Sequence, residues 1–308
     1  MKSIVTTTIN PPTQALRAFA EMENWTLIVI GDKKTPDDWS LEGAIYVSPQ
    51  EQESRYPQLS KALGWNVIQR RNIGFLLALE MKSTMVATVD DDNIPLQGWG
   101  ESTNSLLGRP VEIQNFFGGV QKVFDPISVT NYPDIWHRGF PIQELTNRNY
   151  ERVPQEHFEF DVQADFWNGD PDIDAICRME HAPDCVFDDN YFPIASSLIS
   201  PFNSQNTFLT EKALRHYFMF PSIGRMDDIW AAYYLQAIGF KVVYSKASVR
   251  QDRNAHDLTR DFEQEVLGYT HNLKLLSAIS ENPENIRNFL PETSWRAFNL
   301  YREAASKL

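Results

Sequence analysis

The first ninety residues alternate between two hydrophobic periods, and few folds accept a chain that does this. Residues 3–9 are β-branched and stop at Asn10-Pro11-Pro12, residues 25–30 form a near-continuous apolar run, and Ile45-Tyr46-Val47 and residues 85–89 are shorter runs of the same kind. Between them, residues 13–23 carry Leu16, Phe19 and Ala20 at helical spacing, residues 54–63 read as helical, and residues 71–82 place Ile73, Leu76, Leu77 and Leu79 on one helical face. The order β-α-β-α-β predicts an α/β fold with a mostly parallel central sheet and flanking helices. A near-continuous apolar strand suits a sheet covered on both faces. In open sheets of this kind ligands bind beyond the carboxyl ends of the strands. Three polar turns fall there: Thr8-Ile9-Asn10, Gly31-Asp32-Lys33 and Asp90-Asp91-Asp92.

The last of these turns is the most chemically pointed. Three carboxylates in a row repel one another, and folding does not ask for them. In an extended segment side chains alternate, so Asp90 and Asp92 share one face and Asp91 takes the other. That pair suits Mg²⁺ or Mn²⁺, held by one or two carboxylates with water and a diphosphate completing the shell. A plain acidic turn or helix cap is the alternative. Just upstream, Arg70-Arg71-Asn72 opens a helix. Arginines at a helix N-terminus oppose the macrodipole unless they meet an anion, which a nucleotide diphosphate would supply; a surface pair bonded to nearby carboxylates is the alternative.

Composition narrows the function classes. With 28 Lys+Arg against 41 Asp+Glu the formal net charge is −13, which argues against nucleic-acid binding through a basic surface. It also means that an anionic ligand must be met by local devices such as a metal, arginines or helix N-termini. No apolar run reaches the length of a membrane span. No secretory leader is read at the N-terminus, and the two cysteines, Cys177 and Cys185, read as buried thiols, so the expected location is cytoplasmic. The final Ser306-Lys307-Leu308 can serve as a peroxisomal address or simply end an amphipathic helix.

The remaining chain is less regular. Residues 100–200 are rich in aromatics and proline, with strands expected to be short and antiparallel. Residues 212–218 and 228–238 read as helices and 241–244 as a strand. The chain beyond 258 reads as helical, with Asp261-Phe262-Glu263-Gln264-Glu265 as a solvated face. Gly224-Arg225-Met226-Asp227-Asp228 places a second acidic pair before a helix: an N-cap, or a general base for an acceptor hydroxyl. Trp136, which could stack on a sugar or base, stands beside Arg138, and Asn203 and Gln205 lie in a polar island suited to sugar hydroxyls. Arg253 could face phosphates. His256 is a candidate third metal ligand, or an ordinary hydrogen-bonding histidine.

Taken in order, these segments resemble a known group. Asp90-Asp91-Asp92-Asn93, Trp136-His137-Arg138-Gly139-Phe140-Pro141, Pro171-Asp172-Ile173-Asp174-Ala175, Gly224-Arg225-Met226-Asp227-Asp228-Ile229-Trp230 and Tyr244-Ser245-Lys246-Ala247-Ser248 look like the reversibly glycosylated polypeptides, or UDP-arabinopyranose mutases. The chain also resembles the STELLO-type glycosyltransferases, which fit Gly31-Asp32-Lys33-Lys34-Thr35-Pro36 and Arg253-Asn254-Ala255-His256 better. The resemblance implies a GT-A glycosyltransferase fold: a catalytic domain over 1–250, with a nucleotide-binding half to about 100 and an acceptor half beyond it, and a helical extension over 251–308. It further implies a nucleoside diphosphate sugar donor, expected to be a UDP-sugar, a glycan or small-molecule acceptor, and Mn²⁺ or Mg²⁺.

The expected roles follow. Thr8, Asn10, Gly31, Asp32 and Lys33 hold the nucleoside. Arg71, Asn72, Asp90, Asp91 and Arg253 complete the donor site, and Asp92, Asp90 and His256 hold the metal. Asp228 with Asp227 acts as the base for transfer with inversion, and Trp136, Arg138, Asn203 and Gln205 meet the substrate. Two other expectations stand beside this one. The mutase branch interconverts sugar ring forms and labels itself on an arginine, and Arg138 lies in a comparable segment. A non-catalytic sugar-nucleotide-binding scaffold is the other.

Overall fold

A computed structural model describes residues 1–118, 121–153, 157–251 and 257–308. Its strands are β1 (Lys2–Thr8), β2 (Trp25–Gly31), β3 (Ala44–Val47), β4 (Met85–Val89), β5 (Asn93–Pro95), β6 (Val111–Glu112), β7 (Gln114–Phe117), β8 (Glu151–Val153), β9 (His157–Phe158), β10 (Val162–Gly169), β11 (Ile194–Ser196), β12 (Asn206–Thr210) and β13 (Val242–Gln251). Its α-helices are α1 (Gln14–Ala20), α2 (Pro49–Arg55), α3 (Pro57–Leu63), α4 (Arg71–Glu80), α5 (Ala175–His181), α6 (Glu211–Leu214), α7 (Asp227–Ala237), α8 (Leu258–Glu281) and α9 (Glu292–Ser306).

One large mixed sheet organises the molecule, in the order β3-β2-β1-β4-β12-β10-β13-β11-β7-β8, with β5 added against β13. The expected α/β class with flanking helices holds. The four strands of the N-terminal part are parallel, as their apolar runs predict. β12 joins them antiparallel to β4, so the sheet passes without a break from the first hundred residues into the rest. α4 packs against β1 and β2 and is covered in turn by α9. Almost all of α4 is therefore buried, which its apolar sequence allows.

Register decides where the polar turns go. β1 pairs with β2 from Lys2↔Trp25 to Thr8↔Gly31, so both strands end level. β1 pairs with β4 from Lys2↔Met85 to Val5↔Thr88, and the same offset brings Asp91 level with Thr8. The three strand ends meet at one edge of the sheet, as expected.

Several elements differ from the sequence expectation for local reasons. The helix expected over 54–63 is two helices, broken where Pro57 disfavours helical geometry at Tyr56. The helix expected over 212–218 is only the four residues of α6. The short strand expected at 241–244 is the ten-residue β13, bulged where its pairing with β10 jumps from Asp165↔Ser245 to Trp167↔Val249. In the middle region β10 is long and parallel to β13, and β11 is parallel to β7; antiparallel pairs such as β7–β8 occur beside them. Cys177 and Cys185 are free and buried, and burial pushes both thiols up, Cys185 to about 12. Among the described residues no helix is long and apolar enough to cross a membrane.

Candidate active site

Two adjoining hollows open at the carboxyl ends of the parallel strands. The smaller, about 320 Å³, is lined by Thr7, Thr8, Asn10, Asp32, Asn66 and Asp91 among others. The larger, about 960 Å³, is lined by Asp90, Asp92, Arg138, Asp227, Asp228 and Arg225 among others. Asn66, Val67 and Ile68 line both, so the two form one groove.

The acidic turn divides as its alternation predicts. Asp90 and Asp92 face the large cleft, while Asp91 faces the small hollow. Asp91 accepts from Thr8 Oγ1 at 2.5 Å and from Asn10 Nδ2 at 3.1 Å. Its backbone carbonyl accepts from Thr13 Oγ1 at 2.5 Å, and that same hydroxyl caps α1 by accepting from Leu16 N. Asp91 thus ties the end of β4 to the end of β1. Asp32, nearly buried, does the same for the β2 turn: it accepts from the backbone N–H groups of Lys33, Asn66 and Val67 at 2.6, 2.8 and 3.2 Å. Lys33 lies over the Trp65 ring, 4.9 Å from its centroid. The Gly31 carbonyl accepts from Gln52 Nε2 at 2.7 Å, and a Cβ on Gly31 would stand 2.3 Å from the Tyr46 hydroxyl.

The arginines that open α4 meet protein groups. Arg70 is fully buried, bonds Gln52, Ser60 and the Gly64 carbonyl, and stacks on Trp65 at 3.6 Å. Arg71 is equally buried; its Nη2 pairs with Asp90 at 2.8 Å and its Nη1 donates to the Ser204 carbonyl at 2.8 Å. The anion that balances Arg71 at the helix N-terminus is therefore Asp90, and the guanidinium positions that carboxylate from beneath. Asn72, expected in the donor site, is turned inward: its amide donates to the Met219 carbonyl and accepts from the Met219 N–H.

The second acidic pair opens α7, but neither residue is its N-cap; Met226 holds that place without a side-chain cap. Both carboxylates sit in the first turn, where the macrodipole favours them. Their partners differ. Asp228 receives Arg138 through both Nη atoms, at 3.1 and 3.2 Å, and also Ser204 N and Oγ at 2.9 and 3.1 Å. Asp227 receives the Gln69 amide at 2.7 Å and the backbone N–H of Asp228. Burial first, then the neighbouring Asp228 charge, pushes the Asp227 carboxyl up to about 7.

Arg138 is the hub of this side. Its Nε bonds both oxygens of Asp172, at 2.9 and 3.1 Å, its Nη groups take Asp228, and it also donates to the Arg225 carbonyl. Burial alone would lower its pKa, but the two carboxylates outweigh that and hold it higher than usual. The following Gly139 has φ +90°, and a Cβ there would meet Ile229 at 2.3 Å, so the turn that delivers Arg138 requires glycine.

Other expected substrate residues fall behind this hub. Asn203 donates to Asp172 at 2.8 Å and is buried. Trp136 is buried, with its indole N–H on Asp174 at 2.6 Å, so its ring is not presented to the cleft. Gln205 does line the cleft, with its amide on Gln251 at 2.6 Å. Arg253 and His256 lie outside the described residues.

Two contributors escaped the sequence reading. The run 261–265 is not wholly a solvated face: Glu265 is fully buried and accepts from Arg225 Nε at 2.7 Å, from the Ala175 N–H and from the Tyr269 hydroxyl. Asp261 lies 3.5 Å from Arg225 and lines the cleft. The available signal was the i,i+4 spacing of Asp261 and Glu265, which puts both on one side of α8.

The charge balance of the large cleft is plain. Among the described residues, seven aspartates line it against three arginines. An anionic ligand placed there would need a cation. Among the described residues no cluster of three His, Cys, Asp or Glu side chains comes together to hold a metal. Asp90 and Asp92 face the same cleft, and one or two carboxylates are what Mg²⁺ commonly takes, with phosphate and water in its other positions.

The chain is 25% identical over 284 residues to "Probable glycosyltransferase STELLO1" of Arabidopsis thaliana, a match covering 82% of this chain and 36% of that protein. It is 26% identical over 275 residues to "Probable glycosyltransferase STELLO2" of the same plant, with the same coverage. The chain thus spans little more than a third of the length of these relatives, and the resemblance to STELLO-type proteins is borne out as similarity along most of the chain. No protein-family model matches it. Among solved structures, the glucosyl-3-phosphoglycerate synthase of Mycobacterium tuberculosis in complex with phosphoglyceric acid aligns with a TM-score of 0.44 and 14% identity, covering 95% of this chain and 81% of that one. A likeness that loose carries no argument about this site.

Proposed function

We propose that this chain is a glycosyltransferase unit that moves a sugar from a nucleoside diphosphate sugar, a UDP-sugar as first candidate, to an acceptor hydroxyl. The observation that carries this reading is the shared cleft: Asp90 and Asp92 from the end of β4 and Asp227 from the start of α7 line one hollow. The similarity to proteins named probable glycosyltransferases supports it further.

The roles divide by surroundings. The small hollow at the ends of β1 and β2, with Thr8, Asn10 and Asp32, receives the nucleoside. Asp90 and Asp92 would hold Mg²⁺ or Mn²⁺, which would supply neutralisation of the charge on a leaving diphosphate. Arg71 keeps Asp90 in place. Asp227 takes the proton of the acceptor hydroxyl. It suits that task better than Asp228, because its carboxyl is pushed up to about 7, near the working pH of a general base, whereas Asp228 is committed to Arg138 and Ser204.

The test is release of nucleoside diphosphate from a panel of nucleotide sugars, with Mn²⁺, Mg²⁺ or EDTA, alongside calorimetry of UDP binding. Turnover of at least one donor, and UDP binding strengthened by Mn²⁺ in the wild type but not in Asp92→Ala, are expected. Equal UDP affinity with and without metal would overturn the metal assignment. Binding without turnover of any donor would overturn the transferase reading.

A further inference from the structure

A second hollow lies at the other end of the sheet. It measures about 400 Å³, within the range of small-molecule sites, and is lined by Trp25 at the start of β2, Met85 at the start of β4, and Phe208, Gln163 and Asp165 from β12 and β10. Among the described residues it shares no lining residue with the two hollows at the strand carboxyl ends.

One wall is a fixed aromatic plate. Trp25 is partly exposed, its indole N–H donates to the Gly100 carbonyl at 3.1 Å, its ring packs on Phe208 and Trp99 at 5.8 and 5.3 Å between centroids, and Lys2 Nζ lies over the ring at 5.2 Å, so a stacked ligand displaces that flexible side chain. A buried polar group belongs to the same lining. Asp165 is 7% exposed and accepts from Gln163 Nε2 at 2.7 Å, while Gln163 Oε1 accepts from the Leu106 N–H. The Ser248 hydroxyl also bonds this carboxyl. A carboxyl has about four acceptor positions, so these bonds do not exhaust it. Burial pushes Asp165 up to about 7, so near neutrality it can donate as well as accept.

The backbone is altered at this same point. Where β10 pairs with β13, Lys246, Ala247 and Ser248 stand opposite Phe166 alone, a bulge within the middle of the sheet. Such a bulge gives up ladder hydrogen bonds, and bulges concentrate where a side chain must be re-aimed. This one brings Ser248 to Asp165 and Lys246 to the rim.

We propose that this hollow is a second, neutral-carbohydrate site, taking one or two pyranose rings stacked on Trp25 with hydroxyls bonded to Asp165 and Gln163. An aromatic ring and planar polar side chains in one hollow are what a sugar ring needs: its C–H face is apolar and its edge carries hydroxyls. The rim carries charges of both signs, Lys246 lying 3.8 Å from Asp189 with Glu101 as a further carboxylate, so it offers no surplus of positive charge to an anionic ligand. This assignment does not depend on the transferase reading, because no residue is shared.

The test is saturation-transfer NMR on the whole chain, with the methyl glycosides of glucose, galactose, mannose, xylose and arabinose, and with cellobiose. At least one should receive saturation, also in the presence of excess UDP and in Asp227→Asn, and should shift the Trp25 indole N–H resonance. Trp25→Ala should weaken its binding about tenfold. Ser105→Trp, a loop substitution that fills the mouth without touching the core, should do the same. The proposal fails if no sugar binds, if the Trp25 resonance does not move, if both substitutions leave binding intact, or if UDP or Asp227→Asn abolishes it, which would place the sugar in the other cleft.

Discussion

The acidic turn that ends β4 and the acidic pair that opens α7 line one cleft, yet their surroundings make them different chemical objects. Asp90 keeps about a quarter of its side chain exposed and is paired with Arg71. Asp227 is nearly buried beside another carboxylate, and its proton affinity rises accordingly. Each cluster also spends one member on an arginine, Asp90 on Arg71 and Asp228 on Arg138. The lesson is that burial and the partner already bonded, more than residue type, separate one carboxylate's task from another's.

Substitutions should separate the two clusters in order of effect. Asp227→Asn should lower turnover by about 10²–10⁴-fold, the usual contribution of a general base, while UDP binding measured by calorimetry stays near wild type. Arg138→Met removes the partner of two buried carboxylates, and urea unfolding should show a loss of about 3–5 kcal/mol. Glu265→Gln weakens the charged hold on Arg225 and should cost about 1.5–3 kcal/mol in the same assay. Thr8→Val removes one bond from Asp91 and the acceptor of the Asn10 N–H and should cost about 1–2 kcal/mol, the smallest effect of the series.

Stability against pH offers an independent contrast. The unfolded Asp227 carboxyl titrates near about 4. In the folded chain it is raised to about 7. The folded state therefore binds the extra proton between these limits, so the stability contributed is full below about 4 and is lost as pH rises through about 7. Asp165 contributes with the same sign. Asp227→Asn should flatten part of this slope, and an unchanged slope would show that Asp227 does not carry a raised pKa.

Much of the first cluster was legible because it is local. The strand runs, the alternation at Asp90-Asp91-Asp92 and the turns at the ends of β1 and β2 all follow from short-range pattern, and the parallel register then brings Asp91 level with Thr8. The second region was less legible because its partners are distant in sequence. Nothing near Arg138 announces Asp172 and Asp228, and nothing near Arg225 announces Glu265 on a helix forty residues later. Trp136 and Asn203 read as substrate residues because their types suit sugars, but burial commits them to Asp174 and Asp172. Arg71 at a helix N-terminus was expected to meet a ligand's diphosphate, but its partner is Asp90 from within the chain, a contact that the helix pattern does not announce.

The division of labour between the clusters is tested most directly by the pH dependence of kcat/KM for release of nucleoside diphosphate from a turned-over nucleotide sugar, since this quantity reports the free enzyme's essential groups. A limb that rises with pH through about 7, absent in the residual activity of Asp227→Asn, is the predicted result. A profile flat between pH 6 and 8, or a limb that survives in Asp227→Asn, would contradict the assignment of the base to Asp227.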